Sequence, residues 1–157
     1  MLRRLGCIGC VALLLGGGLA IFLGRADWAA LEGLNQRQRA VRVLEQCKGI
    51  EVERLARRGS LGDQRCGYSS RGLTPGPVKM EFLVRGVSLA LGEYYHPGAS
   101  PADFYPAFAI VVYDQQGQDC ILFSPKQCAM EAVIRGCARG YFLIPQSLSR
   151  HIQASIQ

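Results

Sequence analysis

One uncharged run constrains this chain more than any other feature. After Met1-Leu2-Arg3-Arg4, no ionisable side chain other than cysteine occurs from Leu5 to Leu23. A helix over that run, at ~1.5 Å per residue, is about 28 Å long, close to the thickness of a hydrocarbon core. Two readings fit. In one, residues 1–25 are a signal anchor, with Arg3 and Arg4 holding the N-terminus in the cytoplasm. In the other, Leu5 to Leu15 is the apolar part of a cleaved signal peptide, and Gly18-Leu19-Ala20 or Gly24-Arg25-Ala26 is the cleavage site. Gly16-Gly17-Gly18 weakens a helix and favours cleavage; Phe22 and Leu23 prolong the apolar run and favour the anchor. The stripe Ala12, Gly16, Ala20 and Gly24 has the small-residue spacing that lets membrane helices pack closely.

Both readings place everything after Ala26 outside the cytoplasm, periplasmic or extracellular. If the leader is cleaved, the protein is secreted. Disulfides are expected there. Of seven cysteines, Cys7 and Cys10 lie in the apolar run, leaving Cys47, Cys66, Cys120, Cys128 and Cys137. An odd set predicts two bridges and a free thiol. Cys47–Cys66 would pin the glycine-rich stretch that follows the first helix. Cys128 and Cys137 fall on one predicted helix, about 13 Å apart, too far to bridge. Cys120 can then pair with Cys128, close after its strand, or with Cys137, on the apolar face of that helix, and Cys120–Cys137 is the favoured second pair.

Residues 26–58 read as a helical stalk. Trp28, Leu31, Leu34, Val41, Leu44 and Cys47 keep to one side, and Gly49 divides off a second helix, Glu51 to Arg58. Residues 59–157 read as an extracytoplasmic α+β domain. Gly59 to Pro77 is loop by its glycines and prolines. Val78, Met80, Phe82 and Val84 point one way and Lys79, Glu81 and Arg85 the other, with Leu83 the exception, and predict a strand, extended through Leu91. Phe108 to Tyr113 and Asp119 to Phe123 predict a hairpin around Gly117. Ser124-Pro125 looks like a helix start, with Met130, Val133, Ile134 and Cys137 on its apolar face. Tyr141 to Ile144 predicts a last strand, and Ser147 to Ile156 a terminal helix. The expected fold is a small antiparallel sheet packed with C-terminal helices.

The outline of apolar helix, longer helix and disulfide-bonded sheet resembles that of type IV pilins. Cleavage after Gly6 would put Val11, not the glutamate of that family, at the fifth mature position, and no family is assigned.

No residue constellation names a reaction. The sequence holds no G-x-S-x-G, no phosphate loop and no H-E-x-x-H. His96 lies near Glu93 and Asp103, an arrangement that acids scattered through the chain produce by chance. No cofactor and no metal is expected. The net charge of +6 halves once Arg3, Arg4 and Arg25 are assigned to the leader. An exported domain with so small an excess is not expected to bind nucleic acid.

The stretch Tyr94 to Pro106 crowds Tyr94, Tyr95, His96, Phe104 and Tyr105 among prolines. Tyrosine offers large contact area with a polar tip, so these five are the candidate partner-binding residues. The competing reading is that Phe104 and Tyr105 fold back and cover the sheet edge. The expected function is a membrane-anchored or exported envelope component acting by protein–protein contact, of accessory, assembly or immunity type. Its partner would lie in or near the membrane, and it could pair with its own copies. The alternative is a small secreted enzyme with an unrecognised site.

Overall fold

The computed structural model describes residues 32–56, 64–74, 78–115 and 117–157. The apolar run 5–23 lies outside the described residues, and with it the choice between anchor and signal peptide. Among the described residues, no helix is long and apolar enough to cross a membrane. The main compact unit begins at Gln36.

Among the described residues the fold is α+β, with three helices and an antiparallel sheet. Helix α1 covers residues 32–45, followed by strands β1 (Gly49–Leu55), β2 (Gln64–Arg65) and β3 (Tyr68–Leu73). Helix α2 (Met80–Tyr94) leads to strands β4 (Phe108–Tyr113), β5 (Gln118–Ser124), β6 (Ala129–Val133) and β7 (Gly140–Leu143), and helix α3 (Gln146–Ile156) closes the chain. Six strands lie in the order β3-β1-β4-β5-β6-β7, with the two-residue β2 added to the edge of β3.

Strand pairing sorts the side chains onto two faces. Val52 opposes Ile110, Ile110 opposes Ile121, Phe123 opposes Met130, and Met130 opposes Phe142. These residues form the larger core together with Ala40 and Leu44 of α1, Leu83, Val87, Ala90 and Leu91 of α2, and Leu148, Ile152 and Ile156 of α3. The other face has a smaller core of Leu55, Tyr68, Phe104, Ala109, Val111, Leu122 and Ala129. Having cores on both sides explains why β4 is apolar throughout.

Three expected elements are corrected. Residues 49–55 are not a second helix but β1, whose Val52 and Leu55 are buried on opposite sides of a bulge in its pairing with β3. The alternating run from Val78 belongs mostly to helix α2. There Met80 and Phe82 are exposed, while Leu83, the one residue that broke the alternation, is buried. The spacing Leu83, Val87, Ala90, Leu91 gives one helical stripe along the element, and this outweighs a short alternation. Residues 125–137 are not a helix either. Pro125 to Cys128 make a turn in which Cys128 takes φ 48°, and β6 follows. Met130, Ala132 and Ile134 then face the helices at strand period. The stretch 59–77, read as loop, contains β2 and β3.

The β4–β5 hairpin, β7 and α3 agree with expectation to within two residues. Gly117 has φ 144°, and its N–H donates to Asp114 Oδ1 at 2.9 Å. The turn is tied to the next one by Arg135, whose guanidinium reaches Asp119 at 3.0 Å and Asp114 at 2.8 Å. These carboxylates hold its pKa above the ordinary arginine value.

Candidate interaction surface

The segment from Tyr95 to Ala107 runs around the β7 edge of the sheet, from the helical side to the opposite face. It is fixed at both ends by aromatic rings. Tyr95 is fully buried among the helices and packs on Phe142 with ring centroids 5.8 Å apart. Its hydroxyl donates to Ala138 O, and Arg37 Nε donates to Tyr95 O at 2.9 Å. Burial, aided by the nearby Cys137, pushes the Tyr95 phenol above its ordinary pKa. The chain then bridges to the edge strand at Pro97 and Gly140, with Gly98 N donating to Arg139 O at 2.9 Å. At the far end Phe104 is buried on the second face, edge-on to Tyr141 at 5.3 Å. Burial, and secondarily the Asp103 carboxylate, raise the Tyr141 pKa.

The five candidate residues therefore divide. Tyr95 and Phe104 are core anchors and offer no surface. Tyr94 and His96 are exposed, and Tyr105 is 59% exposed. Of the pair expected to cover the edge, only Phe104 does so. Tyr105 is nonetheless held in place: its N–H donates to Gln127 Oε1 at 3.0 Å, and Gln127 Nε2 donates to Asp103 O at 2.7 Å. Ser124 Oγ donates to the same Gln127 oxygen at 2.9 Å. Leu143, which opposes Ala129 just past this turn, is 62% exposed. An aromatic and an aliphatic side chain thus flank the turn between β5 and β6, beside the outer edge of β7. Leu143 carried no sequence signal, because an apolar residue in a short strand reads as core.

The second face also holds charge. Glu53, Ala109, Leu122, Glu131 and Tyr141 form one cross-strand row. Glu131 is fully buried, and its Oε1 accepts a hydrogen bond from Arg139 Nε. The Arg139 side chain is 54% exposed, and Glu131 raises its pKa. Glu131 Oε2 has no hydrogen-bond partner among the described residues. The alternation of β6 is the signal that could have placed Glu131 on this face. A helix reading concealed it.

The cysteines pair differently from expectation. Cys66 is bonded to Cys120, with Cα atoms 6.1 Å apart, while Cys47, Cys128 and Cys137 are free and half-buried. Cys47 packs against the helical core and Cys66 against the opposite one, so the sheet separates them. Cys137 likewise faces the helices, with Sγ 3.8 Å from Gln36 O, whereas Cys120 opposes Val111 on the other face. Burial raises the Cys137 thiol above its ordinary pKa. Among the described residues, no group of three or more His, Cys, Asp or Glu side chains could hold a metal ion. The arginines of α1 are partly committed to the fold, since Arg39 Nη1 also donates to Gly136 O at 3.5 Å.

Comparison with family models, curated proteins and solved structures finds no match to this chain.

Proposed function

We propose that the chain is a cell-envelope protein whose domain works outside the cytoplasm through contact with another envelope protein, as an accessory, assembly or immunity-type component. In this reading residues 5–23 anchor it in the membrane or export it. The observation that carries the contact reading is the pair Tyr105 and Leu143. Both are large, largely exposed and set on backbone that hydrogen bonds hold in place. A pre-ordered aromatic loses little entropy on binding, which is why such residues dominate interface energetics. Tyr94 and His96, at the other end of the same segment, extend the surface. The Cys66–Cys120 disulfide supports the compartment, because such bonds persist where thiols are oxidised.

Two experiments test the reading. A topology reporter fused after Gln157 should be active only outside the cytoplasm, and a cytoplasmic signal rejects it. Tyr105→Ala with Leu143→Ser should then weaken capture of the partner at least about tenfold, the effect of losing a single hot-spot residue or more. Tyr95 and Phe104 must be left intact in that test, because replacing them would damage the core. Unchanged capture by a folded variant would remove this surface from the contact. If the captured partner is a second copy of the chain, the same variant shifts the oligomer toward monomer.

A further inference from the structure

We propose that the Cys66–Cys120 disulfide is a redox latch that holds the tip of the β2–β3 hairpin closed over the second face of the sheet, above the buried Glu131. The strand order makes the geometry unusual. β3 lies beyond β1, and β5 lies beyond β4, so a bond from the hairpin turn to Cys120 carries the tip across two intervening strands. The turn at Cys66 and Gly67 has φ 55° and 82°, and directly after it Tyr68 is buried against the smaller core.

Further attachments of the hairpin lie behind the tip. Ala56 N donates to Ser69 O at 2.9 Å and Thr74 N to Val52 O at 3.0 Å, and the register with β1 breaks between Glu53 and Leu55. β2 adds only two residues. Beneath the tip, Tyr68 packs in the same cluster as Leu122, the cross-strand neighbour of Glu131, and Arg139 grips Glu131. Glu131 Oε2 is buried with no hydrogen-bond partner among the described residues. A carboxylate oxygen in that position is better off in water. The closed tip is therefore favoured by Tyr68 burial and by the covalent bond, and opposed by the dehydration of Glu131. Removing the bond tips this balance toward opening.

The chemistry is thiol–disulfide exchange with a dithiol reductant. Cys66 is half-buried and Cys120 is buried. A thiolate of the reductant attacks the Cys66 sulfur, forming a mixed disulfide and expelling the Cys120 thiolate, which takes up a proton. The second thiol of the reductant resolves the mixed disulfide and leaves as its own cyclic disulfide. Two electrons and two protons pass to the protein, which gains two thiols. The proposal is independent of the contact surface at Tyr105 and Leu143.

Hydrogen exchange on the full chain in mild detergent tests it. The oxidised protein is compared with dithiothreitol-treated protein and with a Cys66→Ser, Cys120→Ala variant that cannot re-form the bond. Amides 64–70 should exchange at least about tenfold faster in both open forms, while amides 109–112 of β4 keep their protection. Adding Glu131→Met to the cysteine variant removes the charge that favours opening. It should restore at least about threefold of the lost protection. Tip exchange that ignores reduction would overturn the latch. So would β4 losing protection in step with the tip, which marks a structural staple, or a tip that opens equally in the Glu131→Met background.

Discussion

At the scale of single residues, Tyr95 and Gly140 act as one unit. A Cβ on Gly140 would lie 2.5 Å from Tyr95 Cε2 and 3.0 Å from His96 O, so the ring occupies the space that the glycine leaves open. Gly140→Ala should lower stability by about 1–3 kcal/mol, the usual result of overpacking, as read from a urea titration. Tyr95→Phe keeps the ring and removes the bond to Ala138 O, an expected loss of about 1 kcal/mol. The same residue gives a pH dependence. Its folded pKa is raised above the unfolded value of about 10. Below about pH 10 the phenol is neutral in both states and folding is unaffected. Above it the unfolded chain ionises first, so stability falls as pH rises until the folded pKa is passed. Cys137 adds a loss of the same sign from about pH 9 upward. The alkaline limb of a stability profile should be steeper in the native protein than in the Tyr95→Phe variant. Equal slopes would show that the ring is not held in a buried site.

At the scale of elements, α2 and β6 are where sequence periodicity and structure part. The alternation at Val78 to Val84 and the helical spacing at Met130 to Cys137 are both genuine patterns, and both are wrong about their elements. A strand at 78–84 would bury Phe82 and expose Leu83; the helix does the opposite. Leu83→Ala should therefore cost about 2–5 kcal/mol, and Leu89→Ala, on the exposed side, should change stability by no more than about 0.5 kcal/mol. Thermal or urea melts of the two variants decide between the elements. Reversed costs would reinstate the strand. For β6, the deciding fact lies outside its own sequence. β5 and β7 offer hydrogen-bonding edges on both sides, and a strand between them satisfies its whole backbone. The β4–β5 hairpin and α3 were legible because their signals are local: apolar runs around Asp114 and Gly117, and the spacing Leu148, Ile152, Ile156.

At the scale of the whole molecule, the sheet has two cores, and the division accounts for the cysteine pattern. Peptide mapping without reduction should recover a Cys66–Cys120 link, with Cys47, Cys128 and Cys137 available to alkylation after unfolding. A link through Cys47 or Cys137 would contradict the strand order. The candidate surface was legible in part. The aromatic crowding of Tyr94 to Pro106 marked out the segment, but not which of its rings turn inward. That depends on the segment passing around β7, which brings Tyr95 to one core and Phe104 to the other. By itself, the sequence determined an α+β chain with an apolar N-terminal run, a central hairpin and a terminal helix. Each of these follows from composition or from spacing within a few turns of chain. Only the tertiary structure decided the nature of α2 and β6, the partner of each cysteine, and the exposure of Tyr105 and Leu143. These depend on which residues distant in sequence come to share a face of the sheet, and burial against such residues outweighs the small free-energy differences that separate helix from strand locally.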